Sequence, residues 1–368
     1  MTNVQMQGSW EGQAKTATWS EHIQSMPLDA GVITLSRDPE LHERIEATPQ
    51  FQRAYLDKVA DLVRRAFGEE DEAAVAEAHA ALFALYELQL CAPDDVAATN
   101  QHEPLFYSVR RRIENAWLKA EQTRLQSAED VKPVDVPQTI KALCVSHSAA
   151  AHPLFDFLAH EADHAAMDRF CLSDSALNIR FFDLLALALV GSSEKARPEL
   201  VQNLWDESGR GDRSEAHVRT FRDLLDARGL SQVRTDQAAA LSWQGHAGHN
   251  LFMLTALNRM HAHKSLGVMA VTELIDPASY EKVVQGFRRL GYPEWQYRYY
   301  AEHIEVDVVH GEGWLENVIT PTLARVPGAA ADILFGARLR LASCQQYYDF
   351  LMSTITSASH ESCTDLTQ

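Results

Sequence analysis

The segment YYAEHIEVDVVH, residues 299–310, is the most specific stretch of the chain. Its residues His303, Asp307 and His310 stand at positions i, i+4 and i+7, which places them on one face of a helix. We expect this helix to be largely buried, because apolar residues separate the three polar ones: Ile304, Val306, Val308 and Val309. A metal ion would satisfy the three buried polar groups at once, and a hydrogen-bonded network between packed helices is the alternative.

Helical patterns continue on both sides of this segment. Apolar residues recur every three or four positions over about 39–126 and again over about 153–358, whereas the alternation typical of strands is almost absent. The Pro-containing stretch SAEDVKPVDVPQ (127–138) is typical of a linker. The sequence therefore predicts an all-α protein, with a flexible arm (1–38), an N-terminal helical extension (39–130), a C-terminal helical bundle (139–358) and a tail (359–368).

Three more detailed expectations concern individual helices. We expect one continuous helix over about 153–172, and two helices over 266–274 and 278–290 because a proline stands between them. In the N-terminal extension, the apolar faces of 51–66 and 80–91 suggest the interface of a homodimer.

The composition argues against several classes of function. The chain of 368 residues has 33 Lys and Arg against 51 Asp and Glu, a formal net charge of −18, and 46% hydrophobic residues. This balance argues against nucleic-acid binding and against a basic membrane-surface helix, and it predicts a globular protein with a sizeable core. The sequence contains neither an export signal nor an apolar stretch long enough to span a bilayer, so we expect a cytoplasmic location.

Two further segments carry histidine and carboxylate groups. Glu161 lies in the otherwise apolar stretch FDFLAHEADHAAMDRF, where it is the natural carboxylate to be buried, and Glu207 ends a helix ten residues before His217. Together with the first segment they give three imidazoles and three carboxylates. Mixed nitrogen and oxygen ligation of this kind suits iron or manganese better than structural zinc, and six ligands suit two ions better than one.

These three segments together resemble the haem-oxygenase-like diiron oxidases, a family also described as iron-containing redox enzymes. The resemblance covers about residues 141–358, and its specific parts are the ten-residue spacing within NLWDESGRGDRSEAHVRTF (203–221) and the HxxxDxxH pattern of HIEVDVVHGEGW (303–314). It implies a seven-helix haem-oxygenase-like bundle that binds two iron ions, used as Fe(II) with O₂, and no haem. It also implies the metal ligands, which are Glu161, Glu207, His217, His303, Asp307 and His310.

A second set of ligands is open. Glu161 and His164 form a carboxylate-x-x-His pair, as do Asp307 and His310, and such pairs are the arrangement of ferritin-like bundles. In that set His164 replaces His217, and Glu207 or Glu273 supplies a further carboxylate.

Three other residues are candidates for contact with a substrate. Glu273 lies in the apolar run GVMAVTEL, where it is either a buried carboxylate near the metals or a charge near a helix end. Tyr299 stands one turn before His303 and either lines the pocket or packs in the core. Arg180 could meet the carboxylate of a substrate.

The resemblance also bears on the reaction. Members of the family N-oxygenate amino-acid nitrogens, cleave C–C bonds of amino acids or decarboxylate fatty acids, often in specialised metabolism. We therefore expect an O₂-dependent non-haem diiron oxidoreductase that acts on a small amino-acid-like substrate, by N-oxygenation or oxidative C–C cleavage, with an electron donor as a further partner. The alternatives are a ferritin-like ferroxidase without an organic substrate, and a metal-free binding bundle of the haem-oxygenase or thiaminase kind.

Overall fold

The computed structural model describes residues 18–125, 131–231 and 237–364, and it describes side chains for all of these except 237–240 and 358–364. The described residues form α-helices, short 3₁₀ turns and one π-helical turn, and no β-strand occurs among them. The predicted all-α class is confirmed. None of the helices in these ranges is long and apolar enough to cross a membrane.

The chain divides into two compact units, Met1–Gln126 and Ser127–Gln368. The division falls at the start of the segment predicted to be a linker. Each unit has its own buried core.

The first unit packs its longer helices around an apolar core. Asp71 begins one of them, because its Oδ1 accepts hydrogen bonds from the backbone N–H groups of Ala73 and Ala74 at 3.0 and 3.2 Å. The helices of this unit are α1 (18–25), α2 (Leu28–Ser36), α3 (Leu41–Ala47), α4 (Pro49–Gly68), α5 (Glu72–Glu87) and α6 (Pro104–Leu125).

The expectation of a flexible arm over 1–38 is wrong for the described part of that segment. The segment predicted as a flexible arm is helical over 18–25 and Leu28–Ser36, while residues 1–17 lie outside the described ranges. The stripe that holds α2 against α5 consists of only Leu28, Val32 and Leu35, which is too short to stand out as a periodic pattern. The apolar face of 51–66 is buried within this unit and is therefore not available as a dimer interface, and the homodimer itself stays a prediction.

The second unit is a bundle built around one long helix, α14 (Ala262–Arg289), against which α8, α13, α15 and α17 pack. The other helices of this unit are α7 (Val136–Ser146), α8 (Pro153–His160), α9 (His164–Asn178), α10 (Phe181–Leu189), α11 (Arg197–Glu207), α12 (His217–Ala227), α13 (Gln237–Leu257), α15 (Glu294–Gly313), α16 (Thr320–Arg325) and α17 (Ala330–Thr364).

Helix α14 passes through Pro277 without ending, so the prediction of two separate helices is wrong. Proline has no N–H, so the backbone carbonyl of Glu273 does not receive the hydrogen bond that residue 277 would otherwise donate. Close packing on α17 supports the helix, since a Cβ at Gly267 would lie 2.0 Å from the carbonyl oxygen of Ile333. A Cβ at Gly336 would lie 2.0 Å from the carbonyl oxygen of Lys264.

The helix predicted over 153–172 is instead two helices, α8 and α9, with a break at residues 161–163. Asp163 causes the break, because its Oδ1 accepts from the N–H of Ala166 at 2.8 Å and so begins a new helix. Arg289 stabilises the end of α8 by donating to the carbonyl of Ala159 at 2.9 Å. The break changes the positions of Glu161 and His164.

Candidate metal centre

Two groups of buried polar side chains lie along the inner face of α15, which supplies three of their six members. The ligand atoms of each group lie within 4.8 Å of one another. Every one of these six residues is 7% exposed or less. The first group is Glu207, His217 and His303, and the second group is Glu273, Asp307 and His310.

Over residues 303–310, helix α15 is amphipathic in the reverse of the usual sense. Its polar residues His303, Asp307 and His310 face inward, whereas Val308 and Val309 are 56% and 68% exposed. The expectation that the apolar residues of this helix are buried is therefore wrong. Burying polar groups and exposing apolar ones costs free energy, so the inner face needs a compensating partner. His303 and Asp307 are one turn apart, about 6 Å along the helix axis, so the two groups are neighbours.

A tight loop brings Glu207 and His217 together. Helix α11 ends at Glu207 and α12 begins at His217. Between them Gly209 has φ +82°, and a Cβ there would lie 2.2 Å from the carbonyl oxygen of Asp212, so only glycine fits. The loop turns the chain so sharply that His217 Nδ1 lies 3.0 Å from Glu207 Oε2, which accounts for the ten-residue spacing.

The first group has an unsatisfied nitrogen. Although His217 Nδ1 lies close to Glu207, it is not aligned for a hydrogen bond and has no hydrogen-bond partner among the described residues. His303 Nε2 lies 4.0 Å from Glu207 Oε1. Ligand atoms that share one ion at about 2.0–2.2 Å are typically about 3–4 Å apart. These distances and the unpaired nitrogen fit a metal ion between the three side chains.

Backbone contact fixes the orientation of His303. Its Nδ1 lies 2.6 Å from the carbonyl oxygen of Tyr299, so Nδ1 carries the proton and donates it there. The lone pair is then on Nε2, which faces Glu207. Burial, together with the neighbouring His217, lowers the pKa of His303 to about 3, so the imidazole is neutral and able to bind a metal.

The second group is oriented by a carboxylate. Asp206 Oδ2 lies 3.0 Å from His310 Nε2, so the remaining nitrogen, Nδ1, faces Glu273 Oε2 at 3.5 Å. Burial lowers the pKa of His310, but Glu273 and Asp206 together raise it to about 9. The end of α11 therefore serves both groups, with Glu207 in the first and Asp206 beside the second.

Several carboxylates crowd around the second group, so its negative charges repel one another. Burial, and then the carboxylates of Glu273, Asp276 and Glu207, raise the pKa of Asp307 well above its usual value. A cation would relieve this repulsion. The two groups together offer three imidazole nitrogens and three carboxylates and no thiolate, which fits iron or manganese.

The structure brings together five of the six ligands that the resemblance implies and leaves out Glu161. Glu161 is exposed, because it stands in the break after α8, and it belongs to neither group. The expectation that it is buried is wrong. The sixth member of the two groups is Glu273, which in the sequence is recognisable only as a single carboxylate in an apolar run. The alternative ligand His164 is also exposed, and its Nδ1 lies 3.1 Å from the hydroxyl of Tyr292.

Tyr299 and Arg180 differ in their relation to the centre. The ring of Tyr299 is buried and lies 4.1 Å from the ring of His303, so it forms part of the wall of the first group. Arg180 stands at the start of α10, half-buried, with its guanidinium 3.6 Å from the carboxylate of Asp183. It belongs to neither metal group.

Comparisons with known proteins agree with this geometry. Residues 169–344 match the model of a family described as iron-containing redox enzymes, and all six residues of the two groups lie in that range. The chain is 24% identical over 213 residues to a 4-chloro-allylglycine synthase of Streptantibioticus cattleyicolor, covering 56% of this chain and 79% of the relative.

Two crystal structures of a CADD-like protein of unknown function from Nostoc punctiforme are also similar. Each is 16% identical and covers 61% of this chain, and the TM-scores are 0.49 and 0.48. The matched segments cover 98% and 96% of those chains.

The bundle around α14, the donor groups along α15 and the family match agree, and the resemblance seen in the sequence is confirmed: residues 169–344 of the C-terminal unit match the iron-containing redox enzymes, whose haem-oxygenase-like fold fits this all-α bundle.

Proposed function

We propose that this protein is an O₂-dependent, non-haem diiron oxidoreductase that oxidises a small amino-acid-like substrate in specialised metabolism. The observation that carries the proposal is the pair of neighbouring donor groups along α15. The 4-chloro-allylglycine synthase, whose name denotes an amino-acid product, supports the substrate class. N-oxygenation and oxidative C–C cleavage are the two reaction types in view, and an external electron donor would return the site to its reduced state.

In this proposal each donor group holds one iron ion. Glu207, His217 and His303 would hold the first, and Glu273, Asp307 and His310 the second. Iron held there would supply the electrons for the reduction of O₂, a chemistry that side chains alone do not provide. With three protein ligands for each ion, positions would remain free for O₂ or substrate.

The chain's own residues have three tasks in this reaction. The carbonyl of Tyr299 and the carboxylate of Asp206 each hold one ring nitrogen of a ligand histidine, which fixes the direction of the other nitrogen. Burial of the six ligands excludes bulk water from the centre. The tight loop at Gly209 holds Glu207 beside His217.

The test is O₂ consumption by the Fe(II)-loaded full-length protein, with and without a panel of amino acids. We expect that at least one amino acid accelerates O₂ uptake well beyond what oxidation of the bound iron requires. O₂ uptake that depends on Fe(II) alone would instead support the ferritin-like ferroxidase. A metal-free binding bundle predicts that His303→Ala and Asp307→Ala leave ligand binding and function intact, whereas a diiron enzyme loses O₂ uptake in both variants.

A further inference from the structure

A cavity lies next to the metal centre, enclosed by helices α8, α9, α13, α14 and α17. Its polar lining includes Asp174, His249, Asp276, Tyr280, Arg340 and Ser343, and none of the six candidate ligands lines it. Tyr280 forms the wall towards the centre, since its ring lies 6.0 Å from the ring of His303. Asp276 stands on the same helix as the ligand Glu273, three residues further on. The cavity and the metal centre therefore share α14 as a wall.

Arg340 places a buried positive charge at the cavity. This residue is 7% exposed, its Nε donates to Thr272 Oγ1 at 3.0 Å, and its guanidinium lies 4.9 Å from the centre of the Phe252 ring. Within the described ranges no carboxylate oxygen lies within 4.0 Å of its guanidinium, although the charge of Arg340 acts on both Asp174 and Asp276. A guanidinium keeps its proton in proteins, and a buried one requires an anionic partner.

The two carboxylates of the cavity differ in their partners. Asp174 Oδ2 already accepts hydrogen bonds from the hydroxyl of Tyr300 at 3.0 Å and from Asn178 Nδ2 at 2.7 Å. Asp276 has the hydroxyl of Tyr280 as its neighbour, and burial raises the pKa of Asp276 to about 8 despite the opposing effect of Arg340. Among the described residues Asp276 forms no ion pair, and its carboxyl carries a negative charge at neutral pH only beside a cation, which a ligand ammonium group would provide.

We propose that this cavity binds the amino-acid substrate of the proposed function, with the carboxylate of the ligand on Arg340 and its ammonium group on Asp276. The inference rests on that proposed function. Opposite charges at two positions match a zwitterion, whereas a fatty acid would leave Asp276 without a cation and a simple amine would leave Arg340 without an anion. Because the lining already holds two carboxylates, it disfavours an amino acid with an acidic side chain.

The experiment is calorimetric titration of the metal-free and the anaerobic Fe(II)-loaded full-length protein with L-lysine, L-leucine, L-glutamate and the α-carboxamides of the first two. We expect lysine or leucine to bind and glutamate not to bind. Arg340→Met should weaken binding of the acid by about 10- to 100-fold, the range for a lost charge-assisted hydrogen bond, and leave binding of its carboxamide unchanged. Arg338→Met, two residues away on the same helix, is the matched control and should change neither.

A second variant covers the case in which Arg340→Met does not fold. Asp276→Asn has nearly the shape of a protonated Asp276, so it should fold, and it should weaken binding of the amino acid by about 10-fold or more. An analogue that lacks the amine should bind this variant as well as it binds the wild type. Glu281→Gln, exposed on the same helix, is the control.

The outcomes separate this site from the proposed function. Equal losses for the acid and the carboxamide in Arg340→Met would mean a structural effect and overturn the assignment, as would failure of every amino acid to bind either form. If an amino acid accelerates O₂ uptake with the same KM in wild type and both variants, the function stands and the site is wrong. If the amino acid binds through Arg340 but O₂ uptake does not respond, the site stands and the function is wrong.

Discussion

His303 and His310 each hold one ring nitrogen against an oxygen acceptor, so the other nitrogen is available to the proposed metal. In His303 the orienting partner is the backbone carbonyl of Tyr299, one turn earlier on the same helix. In His310 it is the carboxylate of Asp206, which comes from a different helix. The first arrangement is built into α15 itself, whereas the second depends on the packing of α11 against the bundle.

Substitution of Asp206 tests this difference. Asp206→Ala removes the acceptor for His310 Nε2, so we expect the second group to bind Fe(II) about 10- to 100-fold more weakly, while the first group is unchanged. Asp206→Asn keeps an oxygen acceptor and should restore most of the affinity. Anaerobic Fe(II) titration of the three proteins measures the effect, and equal affinity in all of them would contradict the orienting role.

Substitutions of Glu273 and Glu161 form a matched pair that tests which of the two is the third carboxylate ligand, beside Glu207 and Asp307. Glu273→Gln removes a buried carboxylate that faces His310 Nδ1, so we expect the loss of one iron per chain. Glu161→Gln changes an exposed residue outside both groups and should keep both irons. Iron content after anaerobic loading decides between them, and the reverse result would restore Glu161 as a ligand.

At the scale of elements, the loop between α11 and α12 and the register of α15 set the geometry of the centre. Two features require glycine at position 209: its positive φ and the nearby carbonyl of Asp212, with which a Cβ would clash. Gly229, which follows α12, also has a positive φ of +69°, but a Cβ there would meet nothing within 4 Å. Substitution of Gly229 therefore measures the cost of backbone strain alone, whereas substitution of Gly209 measures strain together with a clash.

We expect Gly229→Ala to cost only the strain of a left-handed alanine, about 1 kcal/mol, and to leave iron binding unchanged. Gly209→Ala should cost more, since its Cβ would collide with the backbone, and it should also displace Glu207 from His217 and weaken the first group. Chemical denaturation measures the free energy of unfolding, and Fe(II) titration measures the site. Equal effects of the two variants on iron binding would mean that the loop does not position the ligands.

The sequence predicts those parts of the centre that depend on local geometry. His303, Asp307 and His310 are recognisable because helical spacing alone puts them on one face. Glu273 could not be assigned as a partner of these residues, because its position depends on how α14 packs against α15. The exposure of Glu161 could not be foreseen either, since the apolar residues around it continue through the point where Asp163 starts a new helix.

At the scale of the whole molecule, both donor groups and the cavity belong to the unit Ser127–Gln368. The unit Met1–Gln126 has a core of its own and contributes no residue to either donor group. Binding of a ligand to the native state stabilises the elements that hold it. Iron should therefore stabilise the second unit selectively.

Hydrogen exchange read by peptide measures this selectivity. We expect anaerobic Fe(II) to slow exchange in α11, α12, α14 and α15, whose ligands are ordered by the ions, and to leave α4, α5 and α6 unchanged. His303→Ala should lose the slowing in α11 and α12. Uniform slowing over both units, or none at all, would contradict a centre confined to the second unit.

The proposed diiron centre requires two neighbouring metal sites along α15. Anaerobic titration of the metal-free protein with Fe(II), followed by Mössbauer spectroscopy, counts these sites and distinguishes them. We predict two irons per chain in two distinct environments, because the first group offers two imidazoles and one carboxylate and the second one imidazole and two carboxylates. One iron per chain or none would contradict the account and leave His303, Asp307 and His310 as packing residues of the bundle.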